Sequence, residues 1–424
     1  MHRFIAAILA ASACASIAQA QTSPPAIAGG SLSLDEALRQ AGAASPATDI
    51  GAAGVRAAEA NRTVAGLRPN PELSVETENV TGTGPYRGFN QAETTVGFAL
   101  PIELGGKRSA RIAVADARGI RARLEAAITL AELRLRVTQA YIEAVTAERR
   151  LEVAGEQARI ADEGLRVAAD RVMVGASSPI DEQRAAVLQI NARTAVERAR
   201  REVETTRGIL AGLLGQSVSG SLDTAWFERT TTYGPVAAIN LDGTLALAAA
   251  TADLTTADAQ LRLARSQRIP DVTLSAGTRR YSDTGDQAAV FGVSIPLPFF
   301  NNGSAAVSVA RAERDQAEAR RRLATLDAGQ AIARAQADVA NAEAAARSAN
   351  GPALAAALEA ARIARTGYGA GKFSQLELLD AERTLAETRA AAIDALAAYH
   401  DAQARLRRLI SPAPVDLQNS GDHR

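Results

Sequence analysis

The sequence predicts a mainly α-helical fold of long coiled-coil helices carrying a smaller β portion of two hairpins, and three observations lead to it. Ala, Arg and Leu dominate while aromatics make up only 4% of 424 residues, the composition of long helices packed through small side chains. Residues 31–215 and 240–411 follow one plan, with Gly175 and Gly371 marking equivalent positions 196 residues apart; a repeat on this scale can define a whole architecture. Four short segments alternate apolar and polar residues, a period that helices do not have. A chain of this plan has no obvious compact core of its own, and residues 412–424 read as a flexible C-terminal tail.

The N-terminus carries Arg3, an apolar run from Phe4 to Ala13 and the small-residue site Ala18-Gln19-Ala20, the three regions of a secretory signal peptide over residues 1–20. Its Cys14 is the single cysteine of the chain. Either the leader is cleaved near Gln21, leaving no thiol for disulfides or metals, or Cys14 is lipidated. Lys+Arg and Asp+Glu both number 47, so no global charge draws the chain to nucleic acid.

Each copy opens on a helical pattern and then reaches its β segments through proline, at Arg68-Pro69-Asn70-Pro71 and at Arg268-Ile269-Pro270, where the residue before proline is pushed to extended backbone. Leu73, Val75 and Thr77 alternate with Glu72, Ser74, Glu76 and Glu78, and Thr94, Val96, Phe98 and Leu100 with Glu93, Thr95, Gly97 and Ala99. In the second copy Val272, Leu274 and Ala276 alternate with Asp271, Thr273 and Ser275, and Val293, Ile295 and Leu297 continue the pattern. Tyr86, Phe89, Phe98, Tyr281, Phe291, Phe299 and Phe300 cluster in these stretches, as in the aromatic girdle of a membrane barrel. About ten residues suffice for a tilted transmembrane strand, and no apolar run beyond the leader reaches the ~18–20 residues of a membrane helix. Four strands cannot enclose a lumen, so a membrane role requires several chains in one barrel; otherwise the segments form a small periplasmic β-domain.

Between Lys107 and Val172 there is no proline, and Ile120, Leu124, Ile128, Leu133, Val137, Tyr141 and Val145 recur as one stripe, predicting a single helix of roughly 100 Å at ~1.5 Å per residue. The second copy repeats this from Ser304 to Tyr368, with a kink or break expected at Gly351-Pro352. Each long helix ends in a tight turn, Val174-Gly175-Ala176-Ser177-Ser178-Pro179 and Ala370-Gly371-Lys372-Phe373-Ser374. Ser374-Gln375-Leu376-Glu377 is a capping box and Ser178-Pro179-Ile180-Asp181 a close variant.

The duplicated layout resembles the outer membrane factors, the TolC-like efflux and secretion ducts. Asn70-Pro71-Glu72-Leu73 and Leu100-Pro101-Ile102-Glu103-Leu104-Gly105-Gly106-Lys107-Arg108 are similar to the heavy-metal cation efflux branch. The resemblance implies a homotrimer in which each chain gives four strands to a twelve-stranded outer membrane barrel in lipid, its helices continuing into the periplasm of a Gram-negative bacterium as a hollow coiled-coil cylinder. It implies a periplasmic adaptor and an inner membrane pump of the resistance-nodulation-division class as partners, with heavy-metal cations as cargo and organic drugs as the alternative. It makes Val174, Gly175, Ala176 and Ser178, with Ala370, Gly371, Lys372 and Ser374, the adaptor-docking tip; the same residues also serve simply to start the returning helices. Glu377 and Asp380 share a face of the last helix, as an acidic constriction at the inner mouth or as a solvated helix face.

His2, His400 and His423 are the only histidines and none forms a metal-ligand spacing. No P-loop, nucleophile elbow or dinucleotide fingerprint is present, and Gly105-Gly106 lacks a phosphate-binding context, so neither an enzyme nor a cofactor is expected. A periplasmic adaptor would carry one hairpin between lipoyl-like segments, which the duplication argues against. A purely structural coiled coil leaves the four alternating segments unexplained.

Overall fold

The computed structural model describes residues 31–230 and 240–414. The expected leader, Cys14 included, lies outside them. Helix α1 (Leu34–Ala44) is capped by Ser33 and α2 (Pro46–Ala65) by Ser45, with Pro46 at the first helical position. Strands β1 (Glu72–Glu78) and β2 (Glu93–Ile102) form the first hairpin. Helix α3 runs unbroken over Lys107–Met173, 67 residues, and α4 (Pro179–Leu214) returns along it. The second copy repeats the order with α5 (Leu245–Ser266), β3 (Val272–Tyr281), β4 (Gln287–Ser294), α6 (Ser304–Ser348), α7 (Leu354–Gly369) and α8 (Gln375–Leu409).

The break between α6 and α7 falls where expected, as a π turn over Ala349–Ala353 with Gly351 at φ −102°, ψ −106°. Pro352 has no N–H to continue the ladder and its ring crowds the preceding turn. Strand β4 is shorter than the alternation suggested, since Ile295 and Leu297 lie beyond its last residue, Ser294. Its neighbour β3 begins at Val272, and Pro296 offers no donor. Among the described residues no helix is long and apolar enough to cross a membrane.

The four strands make one antiparallel sheet in the order β1-β2-β3-β4, with β2 of the first copy paired to β3 of the second. The helices are ordered in the same sense, from the first copy to the second. Near the sheet the neighbours run α2-α3-α5-α6, and toward the far end α4-α3-α8-α7. Every layer therefore ends in a first-copy element on one side and a second-copy element on the other.

Ion pairs join the helices along their length: Arg150 to Asp394 at 2.7 Å and Arg389 to Glu156 at 2.6 Å between α3 and α8, and Arg207 to Glu148 at 2.6 Å between α3 and α4. The first pair is exposed and the other two are part-buried; surface pairs contribute ~0–1 kcal/mol each, so they fix register more than they stabilise. Burial does the stabilising, and it is concentrated, contrary to the expectation of a chain without a core. Midway along α3 a cluster forms around Tyr141, Val137, Val145, Leu210, Leu214, Phe227, Tyr399 and Leu406. The segment 216–230 crosses the helices there and delivers Trp226 and Phe227 against His400, ring centroids 4.4 and 5.5 Å away. The Tyr141 hydroxyl donates to the Leu32 carbonyl at 2.6 Å, and burial pushes its pKa up to about 12. His400 Nε2 donates to the Phe227 carbonyl at 2.8 Å, and burial holds its pKa below the ordinary imidazole value. His400 is thus neutral packing material.

The tail expected to be flexible from 412 is anchored over its first residues. Pro412 bridges Thr244, and Ala413 is buried with its N–H on the Gly243 carbonyl at 2.9 Å. Residues 415–424 lie outside the described ones.

Candidate functional site

Period-two alternation gives the sheet two unlike faces. Register places Leu73 beside Phe98, Val75 beside Val96, Leu100 beside Leu274, Leu274 beside Val293 and Ala276 between Phe98 and Phe291. These side chains form one continuous apolar face left open in the chain, with Phe291 81% exposed, an area that monomeric soluble proteins rarely present. The opposite face carries Glu72, Ser74, Glu76 and Glu78 with Glu93, Thr95 and Arg279. Arg279 spans Glu93 at 2.9 Å and Glu78 at 3.1 Å and donates to the Thr95 hydroxyl, so the polar groups across three strands are tied together. Apolar outside and polar inside is the division a membrane barrel needs. The aromatic cluster divides differently from a simple girdle. Tyr86 and Phe89 lie in the turn between β1 and β2, Phe299 and Phe300 follow β4 at the helix end, and Phe98 and Phe291 occupy the middle of the apolar face.

The motif Glu103-Leu104-Gly105-Gly106-Lys107-Arg108 turns β2 into α3. Gly105 and Gly106 both take φ +70°, a left-handed backbone open to glycine, which accounts for a pair that had no phosphate to hold. Around the turn Asp271 accepts from the Leu104 N–H at 3.0 Å and pairs with Lys107 at 2.7 Å, Glu103 pairs with Arg111, and Arg108 reaches the Gly66 carbonyl at 2.6 Å. This neck clamps both copies below the sheet. A Cβ on Gly105 would lie 2.8 Å from Ile269 Cδ1 and 3.0 Å from the Ser266 carbonyl, on top of ~1–2 kcal/mol for the left-handed backbone. Gly105→Ala is therefore expected to lower the heat resistance of the assembled protein, read from the melting of its gel-shifted oligomer. An unchanged melting curve would remove the neck as a stabilising element.

At the far end the two tight turns are built alike. Gly175 (φ +73°) donates to the Val172 carbonyl and Ala176 to that of Arg171; Gly371 (φ +71°) donates to Tyr368 and Lys372 to Gly367. Both are Schellman closures of the helix C-terminus. Ser178 and Ser374 then cap α4 and α8. Val174, Gly175 and Ala176, with Ala370, Gly371 and Lys372, are all exposed. The structure brings the turns together: the Gln375 amide donates to the Asp181 carbonyl at 3.3 Å, and the Arg171 guanidinium stacks 4.8 Å above the Tyr368 ring.

Glu377 completes the capping box, its Oε2 accepting from the Ser374 N–H at 2.7 Å and hydroxyl at 2.8 Å. These bonds from Ser374 hold its pKa below the ordinary carboxylate value. A depressed folded pKa means that the contribution is complete above the unfolded value and is lost only as pH falls through the lowered one, so the cap is intact at neutral pH. Asp380, one turn on, is exposed. Two features had no sequence signal. Phe373 lies on Gly367, where any side chain would overlap its ring. Glu382 is buried and pairs with Arg365, tying α8 to α7. Among the described residues no group of His, Cys, Asp and Glu could hold a metal ion.

The family described as Outer membrane efflux protein matches residues 37–216 and 240–411. The cobalt-zinc-cadmium resistance protein CzcC of Cupriavidus metallidurans is 30% identical over 394 residues, 91% of each chain. The nickel-cobalt-cadmium resistance protein NccC of Alcaligenes xylosoxydans xylosoxydans is 30% identical over 315 residues, 72% of this chain and 69% of its own. Two solved structures share the fold at 20% identity. The outer membrane protein VceC of Vibrio cholerae gives a TM-score of 0.73 over 90% of this chain and 96% of its own, and CusC gives 0.75 over 90% and 92%.

Proposed function

The chain belongs to the outer membrane efflux protein family, whose members are channels of the Gram-negative outer membrane rather than enzymes, and we propose that it exports heavy-metal cations as the exit duct of a tripartite system. The observation that carries the cargo is the likeness to a cobalt-zinc-cadmium resistance protein across 91% of both chains. Deleting the gene and measuring growth on cobalt, zinc, cadmium, copper and silver against organic drugs tests it. Loss of tolerance to one or more metals alone is the expected result, and sensitivity to drugs alone overturns the cargo.

Closure proceeds by assembly. Free edges β1 and β4, α2 and α6, and α4 and α7 present unlike surfaces at the two sides of one arc, which is the geometry of a head-to-tail ring. Three copies complete the barrel and the helical cylinder. The acidic face bearing Glu72 and Glu76 lines the lumen as a wetted wall that favours cations without coordinating them.

The paired turns form the docking tip for a periplasmic adaptor, which joins the duct to an inner membrane pump of the resistance-nodulation-division class. Exposed Val174 and Leu376 beside two closed turns give that partner a rigid, partly apolar surface. Glu377 and Asp380 face the inner mouth and narrow it electrostatically. Gln also completes a capping box, so Glu377→Gln with Asp380→Asn removes charge while sparing the helix start. The pair is expected to reduce cation selectivity and trivalent cation block in planar bilayers. Selectivity and block equal to the parent's would leave these groups as a solvated helix face, since dispersed charges are screened within ~8–10 Å.

A further inference from the structure

One cation breaks the division of the sheet. Of the charged residues in the four strands, Glu72, Glu76, Glu78, Glu93 and Arg279 share the polar face, whereas Arg280 stands on the apolar one. Register sets it between Thr94 of β2 and Gln287 of β4, with Thr77 completing the row across β1. Thr77 and Thr94 hydroxyls lie 3.4 Å apart. Arg280 is exposed, and among the described residues no carboxylate pairs with it. The apolar rows of β3 run Val272, Leu274, Ala276 and Thr278, so Arg280 lies eight residues from the helix end, ~27 Å along a strand at ~3.4 Å per residue. With the strands tilted ~35–45°, that places it near the upper edge of an apolar band ~25 Å tall.

We infer that Arg280, flanked by Thr94 and Gln287, is a recognition site for the phosphate of an outer-leaflet lipid. The inference rests on the barrel reading, which makes this face the lipid-facing one. Height decides the chemistry. A guanidinium at the rim of the hydrocarbon has no carboxylate beside it, and its fork of N–H donors matches phosphate oxygens. The neighbouring hydroxyl and amide supply further donors to the same headgroup. Because the cation sits directly above continuous apolar surface, the partner carries acyl chains under its phosphate, which a free phosphate does not. Ring closure would repeat the site once per chain around the barrel.

The test is native mass spectrometry of the purified full-length oligomer with diphosphorylated lipid A, its dephosphorylated counterpart, or inorganic phosphate. Retention of the phosphorylated lipid over the dephosphorylated one is expected. Arg280→Gln should lower that retention about tenfold, the scale of one charge-assisted hydrogen bond, with Arg280→Lys intermediate and Arg279→Gln, on the opposite face, unchanged. Equal retention of both lipids by the unsubstituted protein overturns the inference and requires no variant. Displacement of the lipid by millimolar inorganic phosphate overturns the lipid as the source. If no lipid of either kind is retained and the oligomer does not partition into membranes, the barrel reading fails and this inference with it.

Discussion

Arginine at the centre of the apolar face, as Ala276→Arg, is expected to prevent assembly of the channel. Ala276 sits between Phe98 and Phe291 in register, midway along the apolar rows. An arginine at the bilayer midplane of a barrel costs ~2–4 kcal/mol per site, a shift of roughly 30- to 700-fold in the insertion equilibrium. It is incurred in every chain of the ring. Glu76→Arg on the opposite face leaves the apolar surface intact and should alter ion selectivity while assembly continues. The check is the yield of heat-modifiable oligomers in the outer membrane fraction for the two variants. Equal yields would mean that the two faces are not divided between lipid and lumen.

Proline at the second tip turn gives the other large effect. Gly371 takes φ +71° and donates its N–H to Tyr368. Proline is confined to φ near −65° and has no N–H, so Gly371→Pro dismantles the closure of α7 and displaces Lys372 and Phe373 with it. The turn lies at the opposite end of the helices from the sheet. Oligomers should therefore still reach the outer membrane while metal tolerance falls to that of a deletion strain. Gly371→Ala keeps the donor and costs about 1–2 kcal/mol of local backbone strain, predicting a partial defect. A crosslinker placed at Ala176 or Lys372 should capture an adaptor in the parent protein. Full tolerance in the proline variant together with no capture from either turn would leave these residues with a helix-starting role alone.

What the sequence made legible follows from local rules. Proline before β1 and β3, strict alternation within the strands, the absence of proline from Lys107 to Met173, and glycines at 175 and 371 each act on their own few residues. Pairings between copies are not local. Nothing in the chain announces that β2 lies against β3, or that Arg279 gathers Glu78 and Glu93 from two other strands. Trp226 and Phe227 sit in a segment without periodicity, so the core they complete at Tyr141 and His400 left no pattern to find. The alternation through Ile295 and Leu297 misled for the converse reason. Pattern persists past Ser294, where Pro296 offers no donor and Leu297 lies beyond the start of β3 at Val272. At the tip, the capping box was readable from Ser374 and Glu377, whereas the contact of Arg171 with Tyr368 depends on how α3 and α7 are brought side by side.

The most direct measurement of closure by assembly is disulfide trapping between the free edges. One cysteine on β1, at Leu73, Val75 or Thr77, is combined with one on β4, at Ala289, Phe291 or Val293, in a chain whose single native cysteine, Cys14, is replaced by serine. Within one sheet β1 and β4 are separated by two strands, ~14 Å at ~4.8 Å per step, well beyond the Cβ separation of ~3.5–4.5 Å that a disulfide requires. Any bond formed must therefore join different chains. Covalent dimers and a closed trimer from at least one of these pairs, in protein extracted from outer membranes, is the predicted result. Reduced monomer from every pair, with the cysteines accessible to thiol reagents, would contradict it.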